Sequence, residues 1–143
     1  HLRRAIVYDA DRLGACLDAA YAQFAARIGD LPDMSADCAG QISENDVWVA
    51  ESGDAIVGAL VLAPGDDFML LVNVAVHPRH RGEGIGGRLL MLAESETRGH
   101  GFSKMRLSTH AQMPETIGLY ARNGWVEIRR QGNKVEMKKQ LSG

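Results

Sequence analysis

The apolar positions change their period along the chain, and each change marks an element. "LRRAIVY" (Leu2 to Tyr8) reads as a first strand, ended by "DAD". Leu13, Leu17, Ala20, Phe24 and Ile28 then recur at helical spacing. They predict a helix capped by Asp9 or Asp11 and running to about Arg27. "GDLPD" breaks it, and a shorter helix is expected from Ser35 to near Asn45. From there the period is that of strands. "DVWVAES" and "AIVGALVLAP" read as a hairpin pair joined by "SGD", and "GDD" turns the chain into "FMLLVNVAV". That run, Phe68 to Val76, is apolar almost throughout, as expected of a central strand covered on both faces. Pro78 ends it.

Ile85, Leu89 and Leu92 next lie on one face of a helix from Gly84 to about Arg98, which "GHG" terminates. "FSKMRLSTH" is a strand, and "PETIGLYARN" is a helix with Pro114 near its first turn and Asn123-Gly124 at its end. "WVEIRR", the turn "QGN" and "KVEMKKQL" make a closing hairpin. The order β-α-α-β-β-β-α-β-α-β-β predicts one α/β (α+β) domain over residues 1–143, a mixed sheet flanked by helices. Its 143 residues suffice for one core and are too few for two. Trp48 and Trp125 fall within strand patterns and are expected in that core.

Composition narrows the function classes. The net charge of −2 argues against a general nucleic-acid binder. No apolar run approaches the roughly 20 residues of a membrane helix. The first residues lack the apolar segment of a signal peptide, so a cytoplasmic protein is expected. Cys16 and Cys38 form no ligand cluster and read as idle thiols, and no metal is expected. Acids gather between Asp9 and Asp46, and bases follow Ala121. Solvated faces account for both, the sharper alternative being an acidic side for a cationic substrate and a basic side for an anionic cofactor.

The chemistry centres on "HPRHRGEGIGGRLL", His77 to Leu90, with glycines at 82, 84, 86 and 87. A glycine loop opening a helix aims backbone amides and the helix dipole at an anion, and Arg79, His80 and Arg81 add charge. Gly82-x-Gly84-x-x-Gly87 matches a dinucleotide fingerprint, but the next strand ends "LSTH" with no acid for the ribose. A triphosphatase loop would need Lys then Ser or Thr where Arg88 and Leu89 stand.

With those two readings gone, the loop resembles that of the GNAT superfamily of N-acetyltransferases. Arg81-Gly82-Glu83-Gly84-Ile85-Gly86 fits its first signature, "VAVHP" (Val74 to Pro78) its preceding strand, and "LYARNGW" (Leu119 to Trp125) its second signature. The resemblance implies a mixed, mostly antiparallel sheet of about 6–7 strands, splayed at the central strand, with about four helices. It implies acetyl-coenzyme A as donor, its pyrophosphate on Arg81, Gly82, Glu83, Gly84, Ile85, Gly86 and Gly87, with Arg79 and Arg122 nearby. The pantetheine arm would bond the backbone of Val74 and Val76 as an added strand, and the amide of Val74 or Ala75 would hold the oxyanion. Tyr120 matches the family's general acid, a role a phenol titrating near pH 10 suits.

No carboxylate lies on the strand before the loop, where many relatives carry one, which leaves His110 or water as base. Met113 stands where many relatives have Asn, and Gln112 is the substitute. Asn73 is expected at the bulge that starts the splay, and Tyr21, Phe24, Asp30, Asp33, Asp37 and Trp125 on the acceptor side. The implied partner is a primary amine of a small molecule or peptide. The alternatives are a module that binds acyl-coenzyme A without turnover and an interaction domain, homodimeric through its closing hairpin.

Overall fold

The computed structural model describes residues 1–25, 28 and 37–141. Seven strands join in one sheet: β1 (Leu2–Arg4), β2 (Asp46–Ser52), β3 (Ala55–Pro64), β4 (Met69–Val76), β5 (Lys104–His110), β6 (Val126–Gln131) and β7 (Lys134–Gln140). Their order is β1-β2-β3-β4-β5-β7-β6. Among the described residues four helices accompany them: α1 (Ala10–Ala25), α2 (Cys38–Glu44), α3 (Ile85–Gly99) and α4 (Pro114–Arg122). Both the element order and the mostly antiparallel sheet are those expected. The ends of α1 near Arg27 and of α2 at Ser35, like Asp30 and Asp33, fall outside the described residues. Contacts gather the chain into two compact units.

The first unit is His1–Val61 with Asn73–Leu89. Leu13, Leu17, Ala20 and Phe24 of α1, with Ile28, are buried at the predicted spacing. Phe24 is therefore part of the core, 4% exposed. The first strand is shorter than its sequence suggested. It ends at Arg4, and Val7–Asp9 form a 3-10 turn. The cause is Asp9. Its carboxylate accepts from the Ile6 amide at 2.8 Å, from Arg3 at 2.8 Å twice, and from Arg12 at 2.6 Å. Asp9 is only 1% exposed, and the hydrogen bonds from Arg3 hold it far below the usual carboxylate range. The backbone curls to reach these partners, which leaves Ile6, Val7 and Tyr8 exposed.

One further expectation changes here. Trp48 is half-buried rather than core, with the Arg4 guanidinium 4.7 Å above its ring. Asp37 caps α2, its side chain accepting from the Gly40 amide at 3.2 Å. Any Cβ at Gly40 would run into that carboxylate.

The second unit is Leu62–Val72 with Leu90–Gly143. β5 pairs with β7 without a break from Lys104–Gln140 to His110–Lys134. β4 is parallel to β5 through Met69–Met105 and Leu70–Arg106, and the register is not carried further along β5. Coverage of β4 is also uneven: Met69 and Leu71 are buried, Leu70 is 36% exposed and Val72 half-buried. β6 lies at the sheet edge with every residue exposed. Trp125 is buried as expected.

Candidate active site

In the first unit the last residues of β4 lead into the glycine loop. The His77 amide donates to the Val57 carbonyl of β3 at 2.8 Å. Amide directions alternate along a strand. Regular alternation from that bond puts the amides and carbonyls of Val74 and Val76 on the edge of β4 away from β3. The amide of Ala75 then faces β3.

The chain then tightens. The Nδ1 of His77 accepts from the Arg79 amide at 3.1 Å and caps a 3-10 turn, Pro78–His80. His77 thus shapes the loop. The His80 ring lies 3.2 Å from the Glu83 carboxylate. Arg79 is exposed, while Arg81 donates to the Ala20 carbonyl of α1 at 3.4 Å. Gly82 and Gly84 have φ of +83° and +80°, conformations other residues adopt only with strain. Gly87 has no such φ, yet a Cβ there, as at 82 and 84, would meet nothing within 4 Å.

The first bond of α3 runs from the Arg88 amide to the Gly84 carbonyl at 3.1 Å. The amides of Ile85, Gly86 and Gly87 precede it and have no intrahelical acceptor. The positive end of a four-turn helix lies at these amides. Gly58 of β3 seats this helix: a Cβ there would lie 2.9 Å from Ile85 and 3.2 Å from Leu89. The sequence offers no local signal for that contact.

Tyr21, expected on the acceptor side, meets Asn73, expected at the bulge. The Tyr21 hydroxyl of α1 donates to the Asn73 Oδ1 at 2.5 Å, and Asn73 is 7% exposed. Burial pushes the Tyr21 pKa up to about 12. An open groove of about 490 Å³ runs along α1 and α2, lined by Asp11, Asp18, Asp37 and Cys38 among others.

In the second unit Tyr120 sits near the end of α4, 4% exposed, its ring 5.8 Å from that of Trp125. The second signature is a helix stop. Asn123 donates its side-chain amide to the Leu119 carbonyl at 2.8 Å, Gly124 takes φ +91°, and the Trp125 amide returns to the Tyr120 carbonyl at 3.1 Å. Lys139 fastens the stop, donating to the Asn123 carbonyl at 2.6 Å and to Glu94 at 2.7 Å. Arg122 is exposed on α4. The His110 Nδ1 accepts from the Gln112 amide at 3.1 Å, so the neutral ring carries its proton on Nε2. Met113, in the place of the relatives' Asn, is buried.

A glycine loop opening a helix beside a central strand, on a seven-stranded mixed sheet, is the arrangement that the resemblance to N-acetyltransferases implied. The family model for the acetyltransferase (GNAT) domain matches residues 43–127, and the chain belongs to that family. It is 33% identical over 84 residues to human N-acetyltransferase 8B, across 54% of this chain and 37% of that protein. To the uncharacterized N-acetyltransferase YjgM of Escherichia coli K12 it is 32% identical over 85 residues, across 57% and 51%. The chain thus spans between 37% and 51% of the length of these curated relatives. Among solved structures, the PaiA N-acetyltransferase of Thermoplasma acidophilum, in complex with coenzyme A, is similar with a TM-score of 0.88 at 18% identity, covering 99% and 98% of the two chains. The Salmonella typhimurium acetyltransferase yncA, solved with acetyl-CoA, has a TM-score of 0.77 at 19% identity, covering 100% and 94%.

Proposed function

We propose that the chain transfers an acetyl group from acetyl-coenzyme A to a primary amine by direct attack. The observation that carries the reading is the opening of α3. Its first amides have no intrahelical acceptor, a Cβ at Gly82, Gly84 or Gly87 would meet nothing within 4 Å, and Arg79 and Arg81 are exposed in the same loop. That is a diphosphate site in its chemistry, and the acetyltransferase family supplies the donor that carries one.

The donor contributes a thioester, whose acyl carbon the amine attacks. Val74 offers its amide to the oxygen on which charge develops. As the carbon–nitrogen bond forms and the carbon–sulfur bond breaks, Tyr120 gives its proton to the leaving sulfur. The amine must arrive neutral or lose a proton on attack. His110 is poorly set for that work, because its Nδ1 already accepts from Gln112 and its Nε2 bears hydrogen. Water takes the proton, and the rate should follow the neutral fraction of the amine. The acceptor is a primary amine of a small molecule or a peptide, and acids such as Asp11 and Asp18 on the first unit would attract it as a cation.

The test is calorimetric titration with coenzyme A and acetyl-coenzyme A, followed by a panel of amines assayed for thiol release. Binding with amine-dependent release supports the proposal. Binding with no release on any amine would leave an acyl-coenzyme A-binding module, and no binding by folded protein would sink the reading altogether.

A further inference from the structure

Helix α1 holds the segment that carries the oxyanion donor at two points. The Tyr21 hydroxyl bonds Asn73, and the Ala20 carbonyl accepts from Arg81. The two residues are neighbours on the helix, and their partners stand at 73 on the strand and 81 in the loop. Of the two contacts, the first bears on chemistry. Asn73 is buried, and its side-chain oxygen requires a donor there. Tyr21 supplies it, which fixes the Asn73 side chain and the peptide plane linking Asn73 to Val74. That plane carries the Val74 amide.

We propose that Tyr21 is a positioning residue, which through Asn73 aims the Val74 amide at the acyl carbonyl oxygen. The inference rests on the acyl-transfer reading above and deepens it. Neither partner is charged near neutral pH, since burial pushes the phenol up to about 12 and an amide does not titrate. The bond is therefore constant over the working range and sets direction without adding a field. Such control matters because an oxyanion donor displaced by about 1 Å loses much of its effect, up to roughly a hundredfold in rate.

The test uses acetyl-coenzyme A labelled with carbon-13 at the acetyl carbonyl, bound to the whole protein and observed by NMR. A hydrogen bond to that carbonyl displaces its resonance from the free value. Tyr21→Phe should at least halve the displacement while the coenzyme A Kd, measured by calorimetry, stays within about threefold. That unchanged Kd also certifies the fold of the variant. Asn73→Ala should give the same loss, and the double variant no more than either single one, because one lock has been opened twice. A displacement unmoved by Tyr21→Phe overturns this inference alone, as do additive losses, which would mean that Tyr21 acts without Asn73. Wild type that binds no acetyl-coenzyme A overturns the acyl-transfer reading, and this inference with it.

Discussion

Gly87 offers a sharp test of the loop, because stability and binding should move in opposite directions there. It lies in the first turn of α3 without positive φ, and a Cβ on it would meet nothing within 4 Å. Packing therefore does not demand a glycine. Gly87→Ala should stabilise the fold by about 0.5–1 kcal/mol, the ordinary gain of alanine over glycine in a helix. Gly87→Glu should do no worse, since an acid in the first turn complements the helix dipole. If the space is for a diphosphate, however, the new carboxylate lies beside it. At about 5 Å and an effective dielectric near 20, each pair of like charges costs about 3 kcal/mol, close to a hundredfold in Kd before salt screening. Thermal melting should place Gly87→Glu a few degrees above or level with wild type, while calorimetry shows coenzyme A binding at least tenfold weaker. Gly87→Ala should lie between the two in binding. Unchanged coenzyme A affinity in folded Gly87→Glu would refute the argument that the glycines keep room for phosphate.

Three other changes probe separate links. Tyr120→Phe keeps the ring contact with Trp125 and removes the hydroxyl, so kcat should fall about 10²-fold with KM for acetyl-coenzyme A unchanged, as steady-state kinetics would show. Asp9→Asn weakens the cluster with Arg3, Arg12 and Ile6, and chemical denaturation at pH 7 should show a loss of about 2 kcal/mol. The native carboxyl is held far below its unfolded value near 4, chiefly by Arg3. Its contribution is therefore complete above that pH and is lost as pH falls below it, so the gap between wild type and variant should narrow only under acid conditions. Gly58→Val drives side-chain atoms into Ile85 and Leu89. It should cost about 1–3 kcal/mol in denaturation and weaken coenzyme A binding by tilting the start of α3.

What the chain determined by itself is local. Helices and strands announce their period within a dozen residues. The glycine loop and the Leu119–Trp125 helix stop are contiguous, so their order and their fit to the family could be read directly. Which glycines take positive φ was not: Gly82, Gly84 and Gly124 do, while Gly86 and Gly87 do not. Tertiary structure decided what depends on residues far apart in sequence. The hydroxyl of Tyr21 finds Asn73 across 52 positions, and Asp9, which looked like a cap, is buried among arginines that pull the first strand short at Arg4. Phe24 looked as much like an acceptor surface as like core, until burial placed it in the core. Gly58 carries no turn signal and matters only because α3 lies against it. Period and turn chemistry act over one or two turns of backbone. Which buried polar group meets which donor is fixed only when the core closes and water can no longer serve as the partner.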